Sequence, residues 1–143
     1  MFEKILYPTD FSDVAHKALD FVIRLKDAGA QEVVILHVID KGSFDAIARY
    51  ATKDIREIEK NLKERAMAEI RPIEERLKKK GFKVKVIINK AVPYMGILDV
   101  EKKEKVSAIV IGSHGMSNIA EIFLGSVSEK IVRRAKTPVL VVR

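Results

Sequence analysis

Ala108-Ile109-Val110-Ile111-Gly112-Ser113-His114-Gly115, followed after nine residues (116 to 124) by Gly125-Ser126-Val127-Ser128, is the stretch on which the fold turns. Ala108–Ile111 is continuously apolar, as a strand must be when both of its faces are covered by helices. Glycines then interrupt, and the chain from Ser126 to about Ala135 reads as a helix. Outward from there the same alternation repeats in both directions. Phe2–Tyr7, Glu32–Val38, Phe82–Ile88 and Pro138–Val142 join Ser107–Ile111 as five strand candidates. Between them lie helical stretches, so the pattern predicts βαβ units in a three-layer α/β fold around an open parallel sheet. Lys83-Val84-Lys85-Val86 alternates instead of running apolar, which suits an edge strand.

The helices have readable ends. Ser12 is a good N-cap for the first, whose inward face is Val14, Ala18, Val22 and Leu25, and Gly29 stops it. Gly42 marks a turn after the second strand. A long second helix is expected from Ile47 through Ile55, Leu62, Ile70 and Leu77, stepping by threes and fours. Pro72 should kink or break it, and Gly81 ends it. A third helix follows Pro93. Gly96 inside it has no reason visible in the sequence.

Composition narrows the function. The 143 residues suit one domain, and with 48% hydrophobic residues a core can form. There is no cysteine, which removes disulfides and thiolate metal sites. Met1-Phe2-Glu3 opens on no apolar leader, and no apolar run approaches the ~20 residues of a membrane span. A cytoplasmic protein without a membrane partner is expected. The net charge of +7 raises nucleic acid as a partner. However, between Arg49 and Lys80 the bases interleave with acids, and Glu59/Lys63, Glu74/Lys78 and Glu75/Lys79 stand four apart. That spacing builds an ion-paired helix face, so no nucleic-acid partner is expected.

Gly112, Gly115 and Gly125 fall between the fourth strand and the fourth helix. There the backbone can approach an anion, and a helix N-terminus offers unpaired N–H groups and the positive end of its dipole. Gly125 would permit an unusual backbone angle, and Ser126 and Ser128 would add hydroxyl donors. The plainer alternative is that the glycines turn the chain and Ser126 caps the helix. No Lys or Arg occurs from Gly112 to Glu129. Phosphates held there would need amides, hydroxyls, the helix dipole and Mg²⁺. Neither G-x-x-x-x-G-K-[ST] nor G-x-G-x-x-G is present. Pro8-Thr9-Asp10-Phe11-Ser12 forms a second polar loop, in which Asp10 could serve a ribose, a metal or only the turn. His16 reads as solvated, His37 as a hydrogen-bonded core residue, and His114 as reaching either phosphate or solvent.

With these residues in place the chain resembles the universal stress protein family, ATP-binding type. Gly112-Ser-His-Gly115, nine residues, then Gly125-Ser126 matches its G-x2-G-x9-G-[ST] motif. Ile5–Ser12, Leu36-His37-Val38 and Thr137–Val142 resemble family segments in order, so the likeness spans residues 1–143 as one domain. The resemblance implies five parallel strands in order 3-2-1-4-5, Rossmann-like with adenine-nucleotide alpha-hydrolase-like topology. It implies that Pro8, Thr9 and Asp10 border adenosine and that the Val38 backbone meets adenine. Gly112 and Gly115 would follow ribose and α-phosphate, with His114 between them in the loop, and Gly125, Ser126, Val127 and Ser128 would hold the phosphates. It implies ATP, or AMP or ADP, with Mg²⁺, and a homodimer through Val139–Val142.

Ala91-Val92-Pro93-Tyr94-Met95-Gly96 departs from the family's Gly-x-Pro and acid, and Lys41–Thr52 falls in a variable region that could form a lid or a partner surface. The expected function is nucleotide-dependent regulation in a stress response. The alternatives are a slow Mg²⁺-dependent ATPase and a dimeric interaction protein with an unused loop; no general base or arginine finger is evident in the loop.

Overall fold

The structure, a computed structural model, describes residues 1–116 and 124–143. Its elements are β1 (Lys4–Pro8), α1 (Asp13–Arg24, continued by a 3-10 turn over Leu25–Ala28), β2 (Glu32–Asp40), α2 (Lys41–Tyr50), α3 (Ile55–Lys79), β3 (Lys83–Ala91), α4 (Pro93–Glu104), β4 (Ala108–Gly112), α5 (Ser126–Arg134) and β5 (Val139–Val142). The five strands are parallel in the order β3-β2-β1-β4-β5. That is the order 3-2-1-4-5 expected from the resemblance, with the alternating Lys83–Val86 strand at one edge.

Period-two alternation sorts the strand side chains onto two cores. Ile5, Tyr7, Val33, Ile35 and Val110 pack with Ala18, Leu19 and Val22 of α1 and Ile70, Ile73 and Leu77 of α3. Leu6, Val34, Leu36, Ile109 and Ile111 pack on the other face with Ile97 and Val100 of α4 and Ile131 of α5. Ser12 caps α1 by accepting the Ala15 N–H at 3.3 Å, and Gly29 and Gly81 end their helices with φ of +98° and +87°.

Two local expectations are corrected, and a third is narrowed because Pro72 does not break its helix. The long helix is two: α2 ends at Tyr50, and Asp54 starts α3 by accepting the Arg56 N–H at 3.0 Å. Ile47, Tyr50 and Ile55 keep the helical spacing yet are exposed, so their periodicity follows no buried face. Pro72 lies inside an unbroken α3. It is exposed, and so is Ala68, whose carbonyl loses its N–H partner and can turn to water while Ile70, Ile73 and Leu77 hold the helix down. Gly42 is no turn residue but the second residue of α2. The Asp40 carboxylate accepts its N–H at 2.9 Å and starts the helix earlier than its apolar pattern does.

Gly96 gains a reason from the tertiary structure. A Cβ there would stand 3.1 and 3.2 Å from the Val38 methyls and 3.3 Å from the Ala91 Cβ. Only a bare backbone lets α4 lie this close to the ends of β2 and β3. The other end of α4 is fastened by Glu101, whose side chain is buried. One of its oxygens accepts the Lys136 N–H at 2.8 Å and both the N–H and hydroxyl of Thr137 at 2.9 Å. That carboxylate fixes the turn from α5 into β5.

Candidate functional site

Strand order reverses between β1 and β4, and the two strands' C-terminal loops border one crevice, where open α/β sheets commonly bind ligands. The crevice is a cavity of about 500 Å³. All eleven candidate residues named from the sequence line it: Pro8, Thr9, Asp10, Val38, Gly112, His114, Gly115, Gly125, Ser126, Val127 and Ser128.

The β1–α1 loop is shaped by its own side chains. Thr9 is buried, and its hydroxyl accepts the Phe11 N–H at 3.1 Å. Asp10 Oδ1 accepts the Ser12 N–H at 3.0 Å, an Asx turn. Phe11 takes φ of +65°, which a non-glycine residue adopts only when its surroundings demand it. His37 supplies part of that demand: its ring stacks on Phe11 with centroids 4.6 Å apart, and its Nδ1 lies 2.8 Å from the Thr9 carbonyl. A carbonyl can only accept, so Nδ1 carries the hydrogen. Beneath the loop, the Tyr7 hydroxyl donates to the Ala15 carbonyl at 2.6 Å, and burial pushes its pKa up to about 12. His16 is exposed on α1, away from the cavity lining.

The glycines of the opposite wall are required for space. The expected unusual angle at Gly125 is not found: its φ and ψ are −62° and 159°, open to any residue. What Gly125 lacks is room, since a Cβ would stand 3.0 Å from the His114 Cα and 3.3 Å from the Ser113 carbonyl oxygen. At Gly112 a Cβ would meet Val14 of α1 at 2.8 Å, and at Gly115 it would meet Asp10 Oδ2 at 2.8 Å. The last contact places the two loops against each other.

Ser113 closes the loop. Its carbonyl accepts the Gly125 N–H at 2.7 Å and the Ser128 hydroxyl at 2.6 Å. The Ser128 hydroxyl hydrogen is thus directed inward, and that residue contributes loop closure and a backbone amide. The N-cap of α5 is Gly125, which has no side chain to cap with. Among the described residues, the N–H groups of Ser126, Val127 and Ser128 have no acceptor, and the helix ladder begins with Glu129 donating to Gly125 at 2.9 Å. Three aligned donors at the positive end of a helix therefore border the cavity.

The cavity also holds residues not named as site candidates from the sequence: Ala15, Leu36, Ile97, Ile111, Asp40 and Met116, with Pro93 from the loop that departs from the family pattern and Ser43 from the variable Lys41–Thr52 segment. The rule that ligands sit beyond strand C-termini would have found Leu36 and Ile111. Nothing in the sequence brings Ser43 or Ile97 there, because the approach of α2 and α4 is a packing outcome. Among the described residues the lining includes the carboxylates of Asp10 and Asp40 and no lysine or arginine. No cluster of three or more metal-ligating side chains occurs among the described residues. No helix among the described residues is long and apolar enough to cross a membrane.

Comparison with known proteins agrees with this architecture. A universal stress protein of Methanocaldococcus jannaschii is 41% identical over 155 aligned residues, covering all of this chain and 96% of that protein. Its solved structure gives a TM-score of 0.89 across 99% of this chain and 96% of that one. A universal stress protein of Bacillus subtilis is 34% identical over 148 aligned residues, with both chains covered in full. At 22% identity, the universal stress protein of Archaeoglobus fulgidus solved in complex with dAMP shares the fold, with a TM-score of 0.66 over 100% of this chain and 98% of that one. The universal stress protein family matches residues 1–143, and the chain belongs to that family.

Proposed function

We propose that the crevice binds an adenine nucleotide, with ATP as the working ligand, and that occupancy regulates the protein's part in a stress response. The observation that carries this reading is the uncapped first turn of α5. Its three N–H groups, beside glycines whose missing side chains leave the approach open, suit phosphate oxygens. The apolar walls of Leu36, Ile97 and Ile111 suit a base, with the Val38 backbone at hand to read its edge. Pro8, Thr9 and Asp10 would flank the sugar, and a 1,2-diol is a good donor pair for Asp10 Oδ2. Because the walls offer carboxylates and no basic side chain, the polyphosphate is expected to enter with Mg²⁺, which would neutralise it and could take Asp10 as one ligand.

Two measurements test the site directly. Freshly purified protein is denatured and any released nucleotide identified by mass spectrometry, and the protein is titrated with ATP and Mg²⁺. An adenine nucleotide should appear in the first or bind in the second; failure of both would sink the reading.

We further propose that the protein works as a homodimer paired along β5, whose outer edge is unpaired among the described residues. Leu140 on that strand is 40% exposed and Val132 on α5 46%. Sedimentation equilibrium should give twice the 16.1 kDa chain mass. Leu140→Lys should shift that toward the single chain, and a monomeric wild type would refute the pairing.

A further inference from the structure

Lys130 is the first basic residue after the glycine loop, and it has no role in the binding machinery described above. It follows Ser126 by four positions, so the two side chains leave the same face of α5. Helical side chains lean toward the helix N-terminus, which carries a lysine's ammonium back toward the first turn. In this structure that ammonium lies 4.8 Å from the centroid of the Tyr94 ring, and the Arg134 guanidinium lies 5.1 Å from the same centroid. Tyr94 is the second residue of α4, half-buried against the core that α4 and α5 cover, and directly follows Pro93, a residue of the cavity wall. The neighbouring Glu129 is taken by Arg133 at 2.9 Å, and among the described residues Lys130 forms no ion pair.

Two cations of α5, the helix whose first turn borders the cavity, therefore share one aromatic ring. A ring face holds an exposed cation by only about 0.5–1 kcal/mol, whereas a charge-assisted bond to a phosphate is roughly twice as strong as a neutral hydrogen bond. The like charge of Arg134 favours release further. With the α-phosphate beside Gly112 and Gly115, the first-turn amides would take the phosphates that follow it. A terminal phosphate would then lie past Ser126, which lines the cavity four positions before Lys130 on the same face of α5.

Building on the nucleotide reading above, we propose that Lys130 makes this site sensitive to phosphate number. It leaves the Tyr94 face to bind the terminal phosphate of a nucleoside triphosphate and stays on the ring when a monophosphate is bound. Tyr94 is the resting place that keeps the ammonium near the site without occupying it.

Calorimetric titration with ATP and Mg²⁺ and, separately, with AMP tests this at one ionic strength. Lys130→Gln should weaken ATP binding roughly tenfold and AMP binding less than about twofold, while Lys130→Arg stays within about threefold for both. The Tyr94 ring proton resonances should move on adding ATP and hold still with AMP. Equal weakening for both ligands, or an unchanged ATP affinity in Lys130→Gln, would overturn the role of Lys130 and leave the nucleotide site standing. A wild-type protein that binds neither ligand would overturn both.

Discussion

Gly115→Val should weaken nucleotide binding roughly 100-fold while leaving the protein folded. The added Cβ would lie 2.8 Å from Asp10 Oδ2, so the carboxylate, whose other oxygen accepts the Ser12 N–H at 3.0 Å, must shift. Two further methyls would then fill the gap between the loops where ribose and phosphate are proposed to pass. A loss of roughly 100-fold in affinity, about 2.7 kcal/mol, is expected. Gly115 is half-buried at the cavity wall and outside both hydrophobic cores, so the melting temperature should move by only a few degrees. Gly125→Val is the informative contrast. There the Cβ would meet the backbone of Ser113 and His114 at 3.0 to 3.3 Å, so the loop itself must open and stability should fall as well. Calorimetric titration together with thermal unfolding separates the two effects. Unchanged ATP affinity in Gly115→Val would rule out a ligand between these loops.

Glu101→Ala is expected to be among the most destabilising single changes in α4. One carboxylate oxygen accepts three donors from Lys136 and Thr137 within 2.9 Å, and the side chain is only 7% exposed. Alanine leaves those donors partly buried and unpaired, at about 1–3 kcal/mol for a fully buried group. Water can reach some of them, so the net loss is put at about 3 kcal/mol, or roughly 6–12 °C in melting temperature. Glu101→Gln keeps one acceptor oxygen and should lose less than half as much. The effect belongs to the α5–β5 turn, so nucleotide affinity at fixed temperature should change little. A melting temperature within 2 °C of the wild type in Glu101→Ala would show that this carboxylate does not hold the turn.

The strands and most helix ends could be read in advance because the signals are local. A residue's neighbours at two or at three and four positions determine whether it can face a core, and Ser12, Gly29 and Gly81 act through their own backbone. The failures also have a physical pattern. The spacing of Ile47 and Ile55 resembles an inward helical face, but periodicity does not say whether anything lies opposite. Asp54 and its capping bond end the continuity instead. Gly125 was expected to matter through its dihedral angles, whereas the structure shows it needed for clearance from a segment eleven residues away.

The amino-acid sequence alone determined the parallel α/β fold and its edge strand β3 through short-range periodicity, and the glycine motif of fixed spacing carried the family resemblance, which together with the loop after the first strand named the eleven candidates that line the cavity. Only the tertiary structure decided why Gly96 is a glycine, why Glu101 is buried, which residues of α2 and α4 complete the apolar wall, and that Lys130 rests on Tyr94. Each of these depends on segments distant in sequence coming within a few ångströms. Such distances are set by how whole elements pack, and no single element's sequence records them.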